Sequence, residues 1–216
     1  MTITPCPCGM KPLALCVCED APRVDNKIAL VILQHPQEQD RTLGSAPLAV
    51  KVLTHAQLKI GLSWPSLSKM LGREAQANRW GLLYLGSLSA DKIAPGRDVV
   101  LVNKKGEAAA DQSPLHDLEG VIVLDGTWSQ AKALWWRNAW MLKCRRIILN
   151  PKTPSRYGSL RKEPRKDSLS TIEAAGLLLA RLEKRPDIEA ATSSAFDAML
   201  KRFREVKRTN PEVTRR

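Results

Sequence analysis

An aspartate at the end of an apolar run is the first feature of this chain that suggests chemistry. In Val121-Ile-Val-Leu-Asp125-Gly-Thr-Trp128 a short hydrophobic stretch ends in a carboxylate, a glycine, a hydroxyl and an indole. The run reads as a buried strand, and the residues after it as the turn into a helix. Ligands of α/β folds bind at that position. A carboxylate there can take a proton or hold a cation, and an indole in the first helical turn can stack on a base. Trp135, Trp136 and Trp140 follow, so four of the six tryptophans lie between 128 and 140. The helical spacing of Trp128, Ala131, Trp135, Ala139 and Leu142 predicts packing against a sheet, with Trp128 left at the ligand edge.

Two further groups carry chemistry. Cys6-x-Cys8 and Cys16-x-Cys18 supply four thiolates able to close a tetrahedral zinc site. One intervening residue per pair is tighter than the two of most zinc ribbons and strains the chelate, which leaves metal-free thiols as the alternative. Four sulfurs leave no position for water, so a zinc ion there is structural. Cys144, alone beside a strand, reads as a small core residue. Residues 143–166 carry nine basic side chains against one acid, Glu163, and are broken by Pro151, Pro154, Gly158 and Pro164. That composition suits a phosphate-contacting loop better than a solvated helix face. Ser170-Thr-Ile-Glu173 has the form of a capping box. After a basic loop, such a helix start also offers N–H groups to an anion, for example an amino acid carboxylate. His35-Pro36, at the end of the first apolar run, suits a pocket wall; a lone histidine gives no case for a catalytic base or a metal.

Positioning these groups falls to 216 residues, 44% of them apolar, with 34 Lys plus Arg against 22 Asp plus Glu and a net charge of +12. This length suits one domain with a small appendage and excludes a wholly disordered chain. No apolar stretch approaches the ~20 residues of a membrane-spanning helix, and the N-terminus lacks the regions of a signal peptide. A cytoplasmic protein with reduced cysteines follows as the expectation. The surplus charge points to a polyanion.

Apolar runs at 27–34, 80–85, 99–102, 121–124 and 147–149 predict strands, and helical spacing predicts helices over 46–58, 129–142, 170–184 and 189–206. Their alternation predicts an α/β fold, a mainly parallel sheet flanked by helices. Residues 104–119 read as a polar insertion. The chain divides into a Cys-rich segment (1–25), a main domain (26–208) and a frayed basic tail (209–216).

Together these blocks resemble a known family. The Cys-rich N-terminus, His35-Pro36 with Glu38, Leu124-Asp-Gly-Thr-Trp128 with Ala131-Lys132, Ser155-x-Tyr157-x-x-Leu160-Arg161 and Leu169-Ser-Thr-x-Glu-Ala174 are similar, in this order, to the DTW-domain tRNA-uridine aminocarboxypropyltransferases. The resemblance spans roughly residues 6–200. It implies a SPOUT-like fold with a C-terminal trefoil knot, against the general rule of unknotted chains. It implies transfer of the 3-amino-3-carboxypropyl group of S-adenosylmethionine to N3 of a tRNA uridine, with release of 5′-methylthioadenosine.

On the same resemblance, Asp125 and Trp128 are the catalytic candidates. The donor lies among Leu85, Gly86, Asp125, Gly126, Thr127, Trp128, Asn150, Pro151, Leu169, Ser170 and Thr171, and tRNA follows Lys152, Arg156, Arg161 and Lys162. Asp125 either takes the N3 proton, for which an ordinary Asp of pKa about 3.9 needs burial beside Trp128, or holds the donor's ammonium. The first Cys pair is closer than the family's two-residue spacing, and the basic loop holds more charge and proline. Two other functions share parts of the pattern. One is a SPOUT-type RNA methyltransferase using the same cofactor; the other is a non-catalytic zinc-containing RNA-binding module, which leaves Asp125-Gly-Thr-Trp128 unexplained.

Overall fold

The first apolar run forms β1 (Ala29–Gln34). Leu30 and Ile32 enter one hydrophobic cluster, and Val31 and Leu33 enter the cluster on the opposite face. A strand covered on both sides has no solvent face to mark with polar residues, hence its unbroken hydrophobicity. The computed structural model describes residues 6, 11–83, 93, 96–160 and 168–214.

Five further strands complete the sheet: β2 (Ala56–Ile60), β3 (Trp80–Leu83), β4 (Val99–Val102), β5 (Gly120–Asp125) and β6 (Arg145–Leu149). Their order is β2-β1-β5-β3-β6-β4. All neighbours pair in parallel except β4 and β6, which are antiparallel. One face is covered by α1 (Ala46–Val52), α4 (Thr171–Glu183) and α5 (Pro186–Thr209) through residues such as Leu48, Ile172, Leu178 and Phe196. The other is covered by α2 (Leu67–Leu71) and by the 3-10 turn Ala139–Lys143 that follows α3 (Trp128–Arg137), through Leu67, Met70, Trp140 and Met141. An α/β protein with a mostly parallel sheet between helices is the architecture read from the sequence.

Three local features refine the expected elements. The helix expected over 46–58 stops at Val52, and its last part is β2. The stop is enforced by Asn26, fully buried, whose Oδ1 accepts the His55 N–H at 3.0 Å and whose amide donates to the Ile28 carbonyl at 2.8 Å. The clasp turns the chain into register with β1, where Leu30 pairs with Ala56. Second, β4, at the border of the sheet, pairs antiparallel with β6, an exception that the expected mainly parallel sheet allows. Its outer edge is closed by a side chain: Gln112 accepts the Leu101 N–H at 2.8 Å and donates to the Leu101 carbonyl at 3.0 Å, imitating a neighbouring strand. Third, Pro211–Thr214 forms a 3-10 turn rather than a frayed end, and Val213 packs on Leu15, Phe203 and Val206.

Candidate active site at the strand ends

Gln34 and Asp125 are the last residues of β1 and β5, and they face each other in parallel register. Adjacent strands thus bring an amide and a carboxylate together at the C-terminal edge of the sheet, where α/β ligand sites form. Gln34 Nε2 donates to Asp125 Oδ2 at 2.7 Å. From the opposite side the hydroxyl of Thr171, the first residue of α4, donates to Asp125 Oδ1. Both carboxylate oxygens are therefore held by neutral donors, and each keeps a second acceptor site. Asp125 is half-buried.

The turn after Asp125 is anchored as firmly. Thr127 caps α3, with its N–H given to Gln130 Oε1 at 2.6 Å in a capping box. Gln130 Nε2 reaches across to Gln37 Oε1 at 3.1 Å, and the His35 N–H donates to the Asp125 carbonyl at 2.9 Å, so the two strand exits brace one another. Gly126 is required by space: a Cβ there would lie 2.9 Å from Gln130 Cβ and 3.1 Å from the Oε1 that closes the cap. His35 Nδ1 accepts the Gln37 N–H at 3.3 Å and caps the short turn Pro36–Glu38, a structural duty.

Trp128 is 47% exposed at the start of α3, and so does not bury Asp125. The core-facing residues of α3 are Ala131 and Leu134. Trp135 is half-buried with the Arg146 guanidinium 5.3 Å from its ring, whereas Trp136 and Leu142 are exposed. Trp128 thus stands at the edge as expected and Trp135 packs partly on the core, while the inward stripe expected to run on through Ala139 and Leu142 is corrected: the helix ends at Arg137, and the following 3-10 turn directs Trp140 and Met141 inward instead.

The start of α4 has the expected capping box. Ser170 Oγ accepts the Glu173 N–H at 3.3 Å, and Glu173 Oε2 accepts the Ser170 N–H at 2.9 Å. The Ile172 N–H goes to Ser45 Oγ at 3.2 Å, so two of the first three N–H groups already have partners. Glu173 also gathers the basic loop, accepting from Ser155 Oγ at 2.7 Å and from the Arg156 N–H at 2.8 Å. Tyr157, buried against Phe196 with ring centroids 5.0 Å apart, donates its hydroxyl to the Leu43 carbonyl at 2.5 Å. Ser155, Tyr157 and Glu173 thereby fix the loop upon α4, α5 and the segment before α1.

Of the other sequence-derived candidates, Leu169 is half-buried just ahead of the cap, while Asn150 and Pro151 follow β6, which β3 separates from β5 on the same edge. Asn150 donates its N–H to the Asp98 carbonyl at 2.8 Å. Lys152 lies 3.6 Å from buried Asp98, and Arg156 pairs with Asp197, so both expected phosphate contacts have acidic neighbours of their own. Asp98 also accepts Arg181 Nε at 2.6 Å, a bond that raises the Arg181 pKa further. Leu85, Gly86, Arg161, Lys162 and Cys8 lie outside the described residues. Gln34 escaped the sequence reading because it closes an apolar run. The available signal was that two such runs end in polar residues, which a parallel sheet aligns.

Near the N-terminus the sulfurs of Cys6, Cys16 and Cys18 converge, with separations of 2.7 Å (Cys6–Cys16), 2.8 Å (Cys16–Cys18) and 3.5 Å (Cys6–Cys18). A tetrahedron with 2.3 Å zinc–sulfur bonds has edges of about 3.8 Å, so an ion would hold the two shorter pairs about 1 Å further apart and the third almost where it is. Burial pushes the Cys144 thiol up to about 12, in keeping with a core role. Among the described residues, no helix is long and apolar enough to cross a membrane.

Comparisons with known proteins bear on the family. The DTW domain matches residues 4–204. The chain is 28% identical to "tRNA-uridine aminocarboxypropyltransferase 2" of Macaca fascicularis over 88% of its length and 60% of the relative's. It is also 28% identical to the proteins of that name from Drosophila melanogaster (82% and 66%) and Mus musculus (89% and 61%). It thus spans about three fifths to two thirds of these curated relatives. No solved structure matches it. With the Asp125-Gly-Thr-Trp128 turn at the strand edge and a match over nearly all of its length, the chain belongs to the DTW domain family.

Proposed function

We propose that this chain transfers the 3-amino-3-carboxypropyl group of S-adenosylmethionine to N3 of a tRNA uridine, forming 3-(3-amino-3-carboxypropyl)uridine and 5′-methylthioadenosine. The family and the name its relatives carry support the reading. The observation that carries it is the clamped carboxylate of Asp125, held by Gln34 and Thr171 beside the exposed indole of Trp128.

S-adenosylmethionine supplies a γ-carbon activated by its sulfonium. In the transfer a bond forms from N3 to that carbon while the carbon–sulfur bond breaks. The N3 proton departs to a base, and the electrons of the broken bond stay on sulfur, which becomes neutral. A carboxylate against sulfur would stabilise the charged ground state more than the transition state and slow the reaction. Asp125 therefore faces N3 or the donor's ammonium. Gln34 favours the ammonium: its Oε1 is buried without a hydrogen-bond partner, on the same amide that holds Asp125. This oxygen and the open acceptor sites of Asp125 suit the three donors of an ammonium group. Fixing that end orients the three-carbon arm, which decides that it is moved and not the methyl group.

The Cys6, Cys16 and Cys18 sulfurs, with Cys8 as fourth ligand, would hold a structural zinc ion. A knotted, SPOUT-like course is the fold the family resemblance leads us to propose; β6 lies two strands from β5, and α4 starts bonded to Asp125 and Ser45. Product analysis tests the function. Incubation with donor and unmodified tRNA should yield methylthioadenosine and the modified uridine in equal amounts. S-adenosylhomocysteine would establish methyl transfer instead, and failure to bind the donor would leave an RNA-binding module.

A further inference from the structure

We infer that the outer face of α3 is a stacking ridge for unpaired nucleotides flanking the target uridine, with Trp136 as its far platform. The choice of RNA as occupant rests on the proposed function.

Trp136 is 76% exposed. Ala131 and Leu134 already supply the buried face of α3, and Trp140 and Met141 fill the adjoining core, so packing does not account for an indole at 136. Residues four apart on a helix stand in line, which places Trp128, Lys132 and Trp136 along one ridge. All three are exposed. The ridge starts at the turn that carries Asp125 and rises about 12 Å between Trp128 and Trp136, the span of three to four stacked nucleotides.

Charge selects the partner. No Asp or Glu occurs between Asp125 and Glu163, and Arg137 and Lys143 lie exposed near the far end of the ridge. Two indoles separated by a lysine offer π-faces to bases and a cation to the phosphate between them, the combination used for single strands. Lys152 and Arg156, by contrast, have Asp98 and Asp197 as neighbours.

The test uses the full chain and a pool of unmodified tRNA transcripts. Trp136→Ala should weaken tRNA binding roughly five- to hundredfold, the range for one base stacked on an aromatic side chain. The KM for tRNA should rise with it, while affinity for S-adenosylmethionine stays unchanged. Trp136→Phe should restore most of the binding, which loss of a structural contact would not predict. Lys132→Gln should make the dependence of affinity on salt shallower by about one phosphate contact. Unchanged tRNA affinity in Trp136→Ala overturns the inference, and a simultaneous shift from dimer to monomer would reassign the ridge to self-association. If the wild type binds tRNA through Trp136 but releases no methylthioadenosine, the ridge stands and the transfer reading falls.

Discussion

Asp125 keeps one acceptor site on each oxygen after bonding Gln34 and Thr171, and its two conceivable duties separate kinetically. As a base towards N3 it would act only in the transition state, so Asp125→Asn would lower kcat and leave the donor's KM alone. As the anchor of the donor's ammonium it would act in both states, and KM would rise as well. The buried acceptor of Gln34 leads us to expect the second pattern, with kcat/KM for the donor down by about 10²-fold or more. Gln34→Leu should show the same pattern more mildly, since it removes one acceptor and one support of Asp125 but leaves the carboxylate. Steady-state kinetics with the donor varied at saturating tRNA checks both variants. Asp125 was legible from sequence because a charged residue interrupts an apolar run, and Thr171 because it follows a capping residue. Gln34 was not, because its significance is relational: it depends on which strand lies beside which.

At the scale of elements, the packing of α4 on α5 shapes the floor on which Thr171 stands. Gly176 permits it: a Cβ there would lie 2.0 Å from Thr192 Oγ1 and 2.9 Å from Thr192 Cβ. Thr192 cannot yield easily, being buried with its hydroxyl donated to the Ile188 carbonyl at 2.9 Å. Gly176→Ala gains about 1 kcal/mol of helix propensity, but overpacking a core costs about 1–3 kcal/mol, and a contact this short belongs at the upper end. A net loss of about 1–2 kcal/mol is expected, or roughly 2–8 °C in Tm for a chain of this size. Adding Thr192→Ala should recover part of it, and thermal melts of the single and double variants decide. Most elements were readable because buried strands and capped helices mark themselves locally. The strand β2 was missed because Leu48, Val52 and Ala56 continue a helical period, and the buried Asn26 that ends the helix lies twenty residues before it. The direction of β4 depends on the edge it joins, which no local pattern carries.

Across the whole molecule, the Cys-rich segment connects the first and last parts of the chain. Leu15 packs with Phe203 and Val206 of α5, and Arg202 donates to the Ala14 carbonyl at 2.8 Å. Lys11 donates to the Thr42 carbonyl just before α1, and Leu43 joins the same cluster while accepting the Tyr157 hydroxyl. A segment of few apolar residues contributes little to this junction unless something orders it, and three converging thiols provide the means. We therefore expect the purified protein to carry one zinc ion per chain by elemental analysis, and Cys16→Ser to lose it. Occupancy at a hundredfold excess over Kd stabilises by about 2.7 kcal/mol, so stripping the ion should lower Tm by roughly 5–11 °C, reversibly on adding zinc back. Because the junction also holds the loop of Ser155 and Tyr157 against α4, metal removal should weaken donor binding without abolishing it. A protein that contains no zinc, with a melting curve indifferent to a chelator, would show that packing on α5 alone orders the segment.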